Sequence, residues 1–507
     1  MAETLPELPD RLDQLLSRAA AAHPGRRAIV TDDTELDYAT LDARVTAVAA
    51  ALQALAPEPS VVAVGSVLHP DFAVAYYAAV RAGHTVAVVN PLLREDDLAH
   101  VLGLGGASVV LLDPALNARL EQVRDRLPEL REVVLIGAGA DGLARLTCDA
   151  PLAAHAKGPG DTAALQFTSG TTGRPKAVRL SHRNVTVNAA QIAQAHRLDG
   201  EAVTLNHLPT YHPMHLNSAI AAGATQVLCA APEPYAALMT ANRHGATILY
   251  SLPVRLARLA ADPDLDSVSM TTVRRIASGG SGLPVPAARR LSKRFGVPVF
   301  QGYGLAETSP LTHSDDPDQP VHGSVGTPVA GTECRVVDID SRAVLAVGGV
   351  GEVQLRGPQV MQGYAGGPDG TGLEPDGWLS TGDVGRIDAD GRLFLVDRLK
   401  DVFKCDNFLV APSDVERVLR RDARVADVVV VEVADAAHGA VAGALVVLAG
   451  AREEELAQIV DRANEALPYY QHVRDAMTLD AIPRSGNGKI QRRLLAEQLM
   501  SRQPVAG

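Results

Sequence analysis

The string Thr168-Ser169-Gly170-Thr171-Thr172-Gly173-Arg174-Pro175-Lys176 concentrates the chemistry of anion binding. Glycine lets backbone amides crowd against an anion, Ser and Thr hydroxyls add donors, and a lysine supplies positive charge for a phosphate. It is not a Walker loop, because Pro175 stands where that loop has the glycine before its lysine. Downstream, His207, His212 and His215 lie within a dozen residues of Asn217 and Ser218. His212 and His215 can share a helical face, but no Cys or Asp completes a metal set, so a polar binding wall is the better reading. Gly279, Gly280 and Gly282 follow a strand-like run, where small residues let a ligand lie against backbone.

These residues need a scaffold. The apolar pair Leu165 and Phe167 predicts a strand running into the Thr168 loop. Around it, helix and strand patterns alternate: helices over 12–22, 41–55, 71–82 and 284–294, strands over 61–67, 85–89, 108–112, 133–136, 224–229, 246–252 and 273–278. That order implies parallel strands with helices on the sheet faces. After about Val325 the pattern changes to short strands with Gly and Asp turns, a small β subdomain. The last hundred or so residues read as a compact α+β unit with strands 425–433 and 442–448 and a long helix over 453–467.

With 507 residues, at least two domains are expected. The formal charge of -12 lacks the basic footprint of a nucleic-acid binder. The four cysteines form no CxxC pair, so neither a zinc site nor a disulfide framework is expected, and a cytoplasmic setting fits. Residues 1–12 lack a basic start and apolar stretch, and no apolar run reaches the ~18 residues of a membrane span.

The Thr168–Lys176 string resembles the phosphate-binding signature of the adenylate-forming superfamily, which includes acyl-CoA synthetases, peptide-synthetase adenylation domains and luciferases. Further strings are similar to that family's motifs, in its order: Gln301-Gly302-Tyr303-Gly304-Leu305-Ala306-Glu307-Thr308, Ser380-Thr381-Gly382-Asp383, Asp397-Arg398-Leu399-Lys400-Asp401 and Pro483-Arg484-Ser485-Gly486-Asn487-Gly488-Lys489-Ile490. The pattern is nearest to the acyl-CoA ligases.

The resemblance implies ATP and Mg²⁺ as cofactors. Thr168, Ser169, Gly170, Thr171, Thr172 and Lys176 would hold phosphates. Gln301, Gly302, Gly280 and Tyr303 would frame the adenine, with the Tyr303 ring stacked on it. Glu307, with Thr168, would bind the metal through hard oxygens. Thr308 would bond the α-phosphate, Asp383 the ribose hydroxyls, and Arg398 the ribose or a phosphate. Lys489 would stabilise charge as pyrophosphate leaves. His212 stands in the segment that opens the acid pocket and joins Lys489, Glu307 and Thr308 as a catalytic candidate.

The implied domains are 1–396 for ATP and acid binding, a hinge at 397–401, and a mobile domain over 402–507. The implied reaction is adenylation of a small acid, then transfer to the thiol of CoA or of a carrier protein's phosphopantetheine. Two departures bear on this. Asn407 stands where many CoA ligases have Gly, close to the pantetheine path. The stretch from His212 to Gly223 looks about one turn short and polar, against a long-chain acid. They motivate an alternative, in which an acid or a small anion such as nitrite is activated and passed to an amine in secondary metabolism.

Overall fold

The computed structural model describes residues 5–146, 148, 150–169, 175–210, 212–366, 372–406, 408–450, 453–483, 490 and 492–501. The chain divides into two compact units. The first comprises Met1–Cys334, Leu355–Leu379 and Gly391–Leu393; the second comprises Arg335–Gln354, Ser380–Asp390 and Phe394–Gly507. The expected boundary at 396 is cut differently here, since 335–354 and 380–390 group with the C-terminal residues.

The first unit holds two large sheets of the expected α/β kind. In the seven-stranded sheet, Thr162–Ser169, Thr85–Val88, Val61–Gly65, Ala107–Leu112 and Glu132–Leu135 run parallel, in that spatial order. Val61–Gly65 has no polar residue and is almost wholly buried, as a strand covered on both faces must be. The antiparallel Pro175–Ser181 flanks Thr162–Ser169, and Gly363–Tyr364 closes that edge.

In the nine-stranded sheet, Val299–Gly304, Arg275–Ser278, Ile248–Ser251, Val203–His207, Thr225–Leu228 and Arg27–Val30 are parallel neighbours. Helix Pro70–Arg81 is buried almost all round, as an interior helix should be. Caps set the helix starts: Asp37 accepts from Thr40 N at 2.7 Å, and Ser181 forms a capping box with Asn184. In an open parallel sheet the crevice beyond the carboxyl ends of the strands is where ligands collect. The Thr168 loop, the Gly279–Gly282 run and the Glu307 turn all follow such ends.

The second unit carries most of a four-stranded sheet ordered Glu333–Val337, Gly351–Arg356, Leu379–Ile387, Leu393–Arg398. Its other sheet is built on Val425–Asp435 paired antiparallel with Gly439–Leu448, which also pairs in parallel with Val473–Thr478. Val428 to Val431 are at most 1 % exposed and form its core. Glu416 is buried there because it accepts from Val430 N at 3.0 Å and from Arg492 Nη1 at 2.5 Å. The long helix expected over 453–467 is shorter, Leu456–Glu465, preceded by a single tighter turn of three glutamates. At the expected hinge, Asp397 Oδ2 accepts from Ser413 N at 2.9 Å and Lys400 is exposed.

Candidate active site

The strand ladder places Thr168 opposite Lys176 and Ser169 opposite Pro175. Gly170, Thr171, Thr172, Gly173 and Arg174 lie outside the described residues. Lys176 is exposed, and its Nζ lies 4.9 Å over the Tyr364 ring, within cation–π reach. The Tyr364 hydroxyl donates to Glu307 Oε1 at 2.9 Å. Burial first, and then the Glu307 charge, push that phenol well above its usual range, so it keeps its proton.

Lys176, Tyr364 and Glu307 therefore join two motifs far apart in sequence. Tyr364 was not foreseen. Nothing local marks it; its place follows from the pairing of Gly363–Tyr364 with Val178 and Arg179, and from Met361 N donating to Glu307 O at 2.8 Å.

The turn Ala306–Thr308 packs against the strand Thr162–Ser169, which brings Glu307 and Thr168 to one end of the first unit. One Glu307 carboxylate oxygen accepts from Tyr364, and the Thr168 hydroxyl offers another oxygen on the strand packed against the turn. Two hard oxygens of this kind suit Mg²⁺.

The turn itself is rigid. A Cβ on Gly304 would sit 1.9 Å from Pro310 O, so only glycine fits. Thr308 is wholly buried; its Oγ1 accepts from Leu305 N at 3.0 Å, and its hydroxyl faces Leu305 O and Pro310 O. The bond to an α-phosphate expected of Thr308 needs that hydroxyl to leave its carbonyl partners.

Gln301 Oε1 accepts from Leu283 N at 2.7 Å and so fixes the Gly279–Gly282 loop, in which Gly280 sits at φ +88°. Gly302 is half-buried next in the strand. Tyr303 is 8 % exposed, its ring centroid 6.0 Å from that of His313, so a base meets only a small part of it.

His212 caps the helix Pro213–Ala222: its Nδ1 accepts from Met214 N at 3.1 Å, which leaves the ring proton on Nε2 as a donor. Burial lowers its pKa to about 4, so it is neutral near pH 7. His207 uses both nitrogens, one on Ala231 O at 2.9 Å and one on Ser251 Oγ at 3.1 Å.

In the second unit, Arg398 Nε pairs with Asp383 Oδ1 at 2.9 Å. Asp383 is 4 % exposed and follows Gly382, whose N–H donates to Glu352 at 3.1 Å and whose carbonyl accepts from Leu399 N at 2.8 Å. The structure thus unites the ribose candidate Asp383 with Arg398. Lys489 and Asn407 lie outside the described residues.

The model of the AMP-binding enzyme family matches residues 16–365, and that of the AMP-binding enzyme C-terminal domain matches residues 414–489. The 4-coumarate–CoA ligase 5 of Oryza sativa subsp. japonica is 32 % identical over 86 % of this chain and 84 % of its own length. The crystal structure of ATP-bound MatB from Rhodopseudomonas palustris aligns with a TM-score of 0.87 at 27 % identity, over 96 % of this chain and 99 % of that one. The anthranilate CoA ligase AuaEII, solved with anthranoyl-AMP, shares the fold at a TM-score of 0.86, with 24 % identity over 98 % and 99 % of the two chains. With five motifs in order, and with Thr168, Lys176 and Glu307 gathered at one strand end, the chain belongs to the adenylate-forming AMP-binding enzymes and is of the acyl-CoA ligase kind.

Proposed function

We propose that this enzyme activates a small carboxylic acid with ATP, releases pyrophosphate, and transfers the acyl group to the thiol of CoA or of a carrier protein's phosphopantetheine, releasing AMP. The observation that carries the reading is the Lys176–Tyr364–Glu307 chain beside Thr168, which gathers positive charge, a fixed donor and a hard carboxylate where a triphosphate would lie. The first step is in-line attack of a carboxylate oxygen on the α-phosphorus, so positioning and electrostatics do most of the work.

Thr168 and Lys176 would hold the phosphates. Mg²⁺, held by Glu307 and Thr168, would supply charge neutralisation at the triphosphate. His212 donates from Nε2 toward the acid or its adenylate. Asp383 would accept from the ribose hydroxyls, oriented by Arg398. Lys489 would stabilise the charge that builds on the α-phosphate, and rotation about 397–401 would then withdraw it for thioester formation. Acid-dependent pyrophosphate release followed by CoA thioester detection tests both halves. Release without any thioester, on CoA or on a carrier protein, leaves only the first.

A second reading keeps adenylation and replaces the thiol by an amine, with an acid or a small anion such as nitrite as the activated species. Asp406, next to Asn407, favours it. Its carboxylate meets His438 Nδ1 at 3.0 and 3.1 Å, the carboxylate–imidazole arrangement that a general base for an amine would use. Release of pyrophosphate with nitrite, and an amide or diazo product in place of a thioester, would select this reading.

A further inference from the structure

On one face of the nine-stranded sheet, Asn206, Tyr250, Ala277 and Phe300 stand in a row, each in register with the next across neighbouring parallel strands. None is more than 4 % exposed. His196 and His215 close on this row from the helical side. The His196 ring meets Phe300 edge-on at 5.1 Å, and its Nδ1 lies 2.8 Å from the Tyr250 hydroxyl. The His215 ring centroid lies 4.4 Å from that of Tyr250. Leu198 and Ile248 pack behind.

Two residues toward the carboxyl ends of the same strands are Gly279 and Gly302, which face each other closely: a Cβ on Gly279 would lie 3.6 Å from Gly302 O. Both are half-buried, as are His212 and His215. Two residues of strand measure about 7 Å. A group lying against the glycine pair therefore meets a wall of aromatic rings about 7 Å further in. That depth admits one substituted ring or a short chain, and it stops an extended alkyl tail.

The wall is also not an apolar one. Among the described residues, His215 Nδ1, His196 Nε2 and both side-chain polar atoms of Asn206 are buried without a hydrogen-bond partner. Unpaired polar atoms of this kind disfavour a hydrocarbon end and favour a group that pairs with them. Burial holds His196 at about 4 and His215 well below its usual value, so these imidazoles are neutral near pH 7. A second ionised group on the substrate would be desolvated against them without an opposite charge.

Resting on the adenylating reading above, we propose that the acid is short, ends within about one ring of its carboxyl, and carries at its far end an uncharged hydrogen-bonding group, a hydroxyl or an amine, that meets His215.

The experiment is pyrophosphate release by the full-length enzyme with benzoate, its hydroxy and amino derivatives, butanoate, octanoate, palmitate, a benzene dicarboxylate and nitrite. The expected result is kcat/KM at least about tenfold higher for hydroxy- or aminobenzoate than for benzoate, with no release by octanoate, palmitate or the dicarboxylate. Phe300→Ala should open the wall and admit octanoate, a gain that misfolding cannot produce. His215→Phe should lower kcat/KM for the hydroxy- and aminobenzoates toward the value for benzoate. Octanoate or palmitate matching the ring acids overturns the proposal, as does benzoate matching its derivatives, or release confined to nitrite; in each of these adenylation itself stands. Absence of release with every compound overturns the adenylating reading and the proposal together.

Discussion

Tyr364 shows how one side chain can hold a site together. Its protonated hydroxyl fixes one oxygen of Glu307, and its ring face holds the Lys176 ammonium. Tyr364→Phe keeps the ring and removes the donor, and a hydrogen bond to a charged group contributes about 1.5–3 kcal/mol. The expected outcome is a raised KM for ATP that falls again as magnesium is increased, with little change in thermal stability. Lys489 is proposed to act differently, on charge that builds only in the transition state. Lys489→Ala should lower acid-dependent pyrophosphate release by about a hundredfold or more. Steady-state kinetics on the two variants separate ATP binding from chemistry.

Among the elements, what the sequence made legible follows hydrophobic periodicity. The strands over 61–65, 85–88 and 107–112 were readable because apolar runs of that length, bounded by turns, suit a sheet buried on both faces. The Gly363–Tyr364 edge pairing was not readable, because it depends on contacts between segments distant in sequence. Thr308 is a local case: its motif implies a bond to the α-phosphate, and the fold turns that hydroxyl onto the backbone of its own turn.

The buried Glu416–Arg492 pair in the second unit is another long-range product. Arg492→Leu removes the closer of the two cations at buried Glu416, leaving Arg420 Nη1 at 3.4 Å, and should cost about 1.5–3 kcal/mol. Chemical denaturation of the full chain should show a transition shifted to lower denaturant. Glu416→Gln with Arg492→Leu should recover part of that loss.

At the scale of the whole molecule, buried histidines tie stability to pH. Burial lowers His182, His196, His207 and His212 to about 4 and His313 to about 3, all in the first unit. In the unfolded chain these imidazoles titrate near about 6.5. Between the two values the unfolded chain binds protons that the folded chain does not, so this part of the stability is complete above about 6.5 and falls as pH drops toward 4. Melting temperatures measured across that window should fall with acid before the carboxylates protonate. The second expectation concerns the exposed Lys400 in the 397–401 segment. If rotation there separates the half-reactions, Lys400→Pro should keep adenylation and lose acyl transfer, read as pyrophosphate release without thioester.

The adenylating reading is tested most directly by measuring acid-dependent pyrophosphate release from ATP by wild type and by Lys489→Ala. The account predicts release by the wild-type enzyme with a small acid, and its near-complete loss in the variant with ATP still bound. Release that is independent of any acid, or that survives in Lys489→Ala at the wild-type rate, would contradict it.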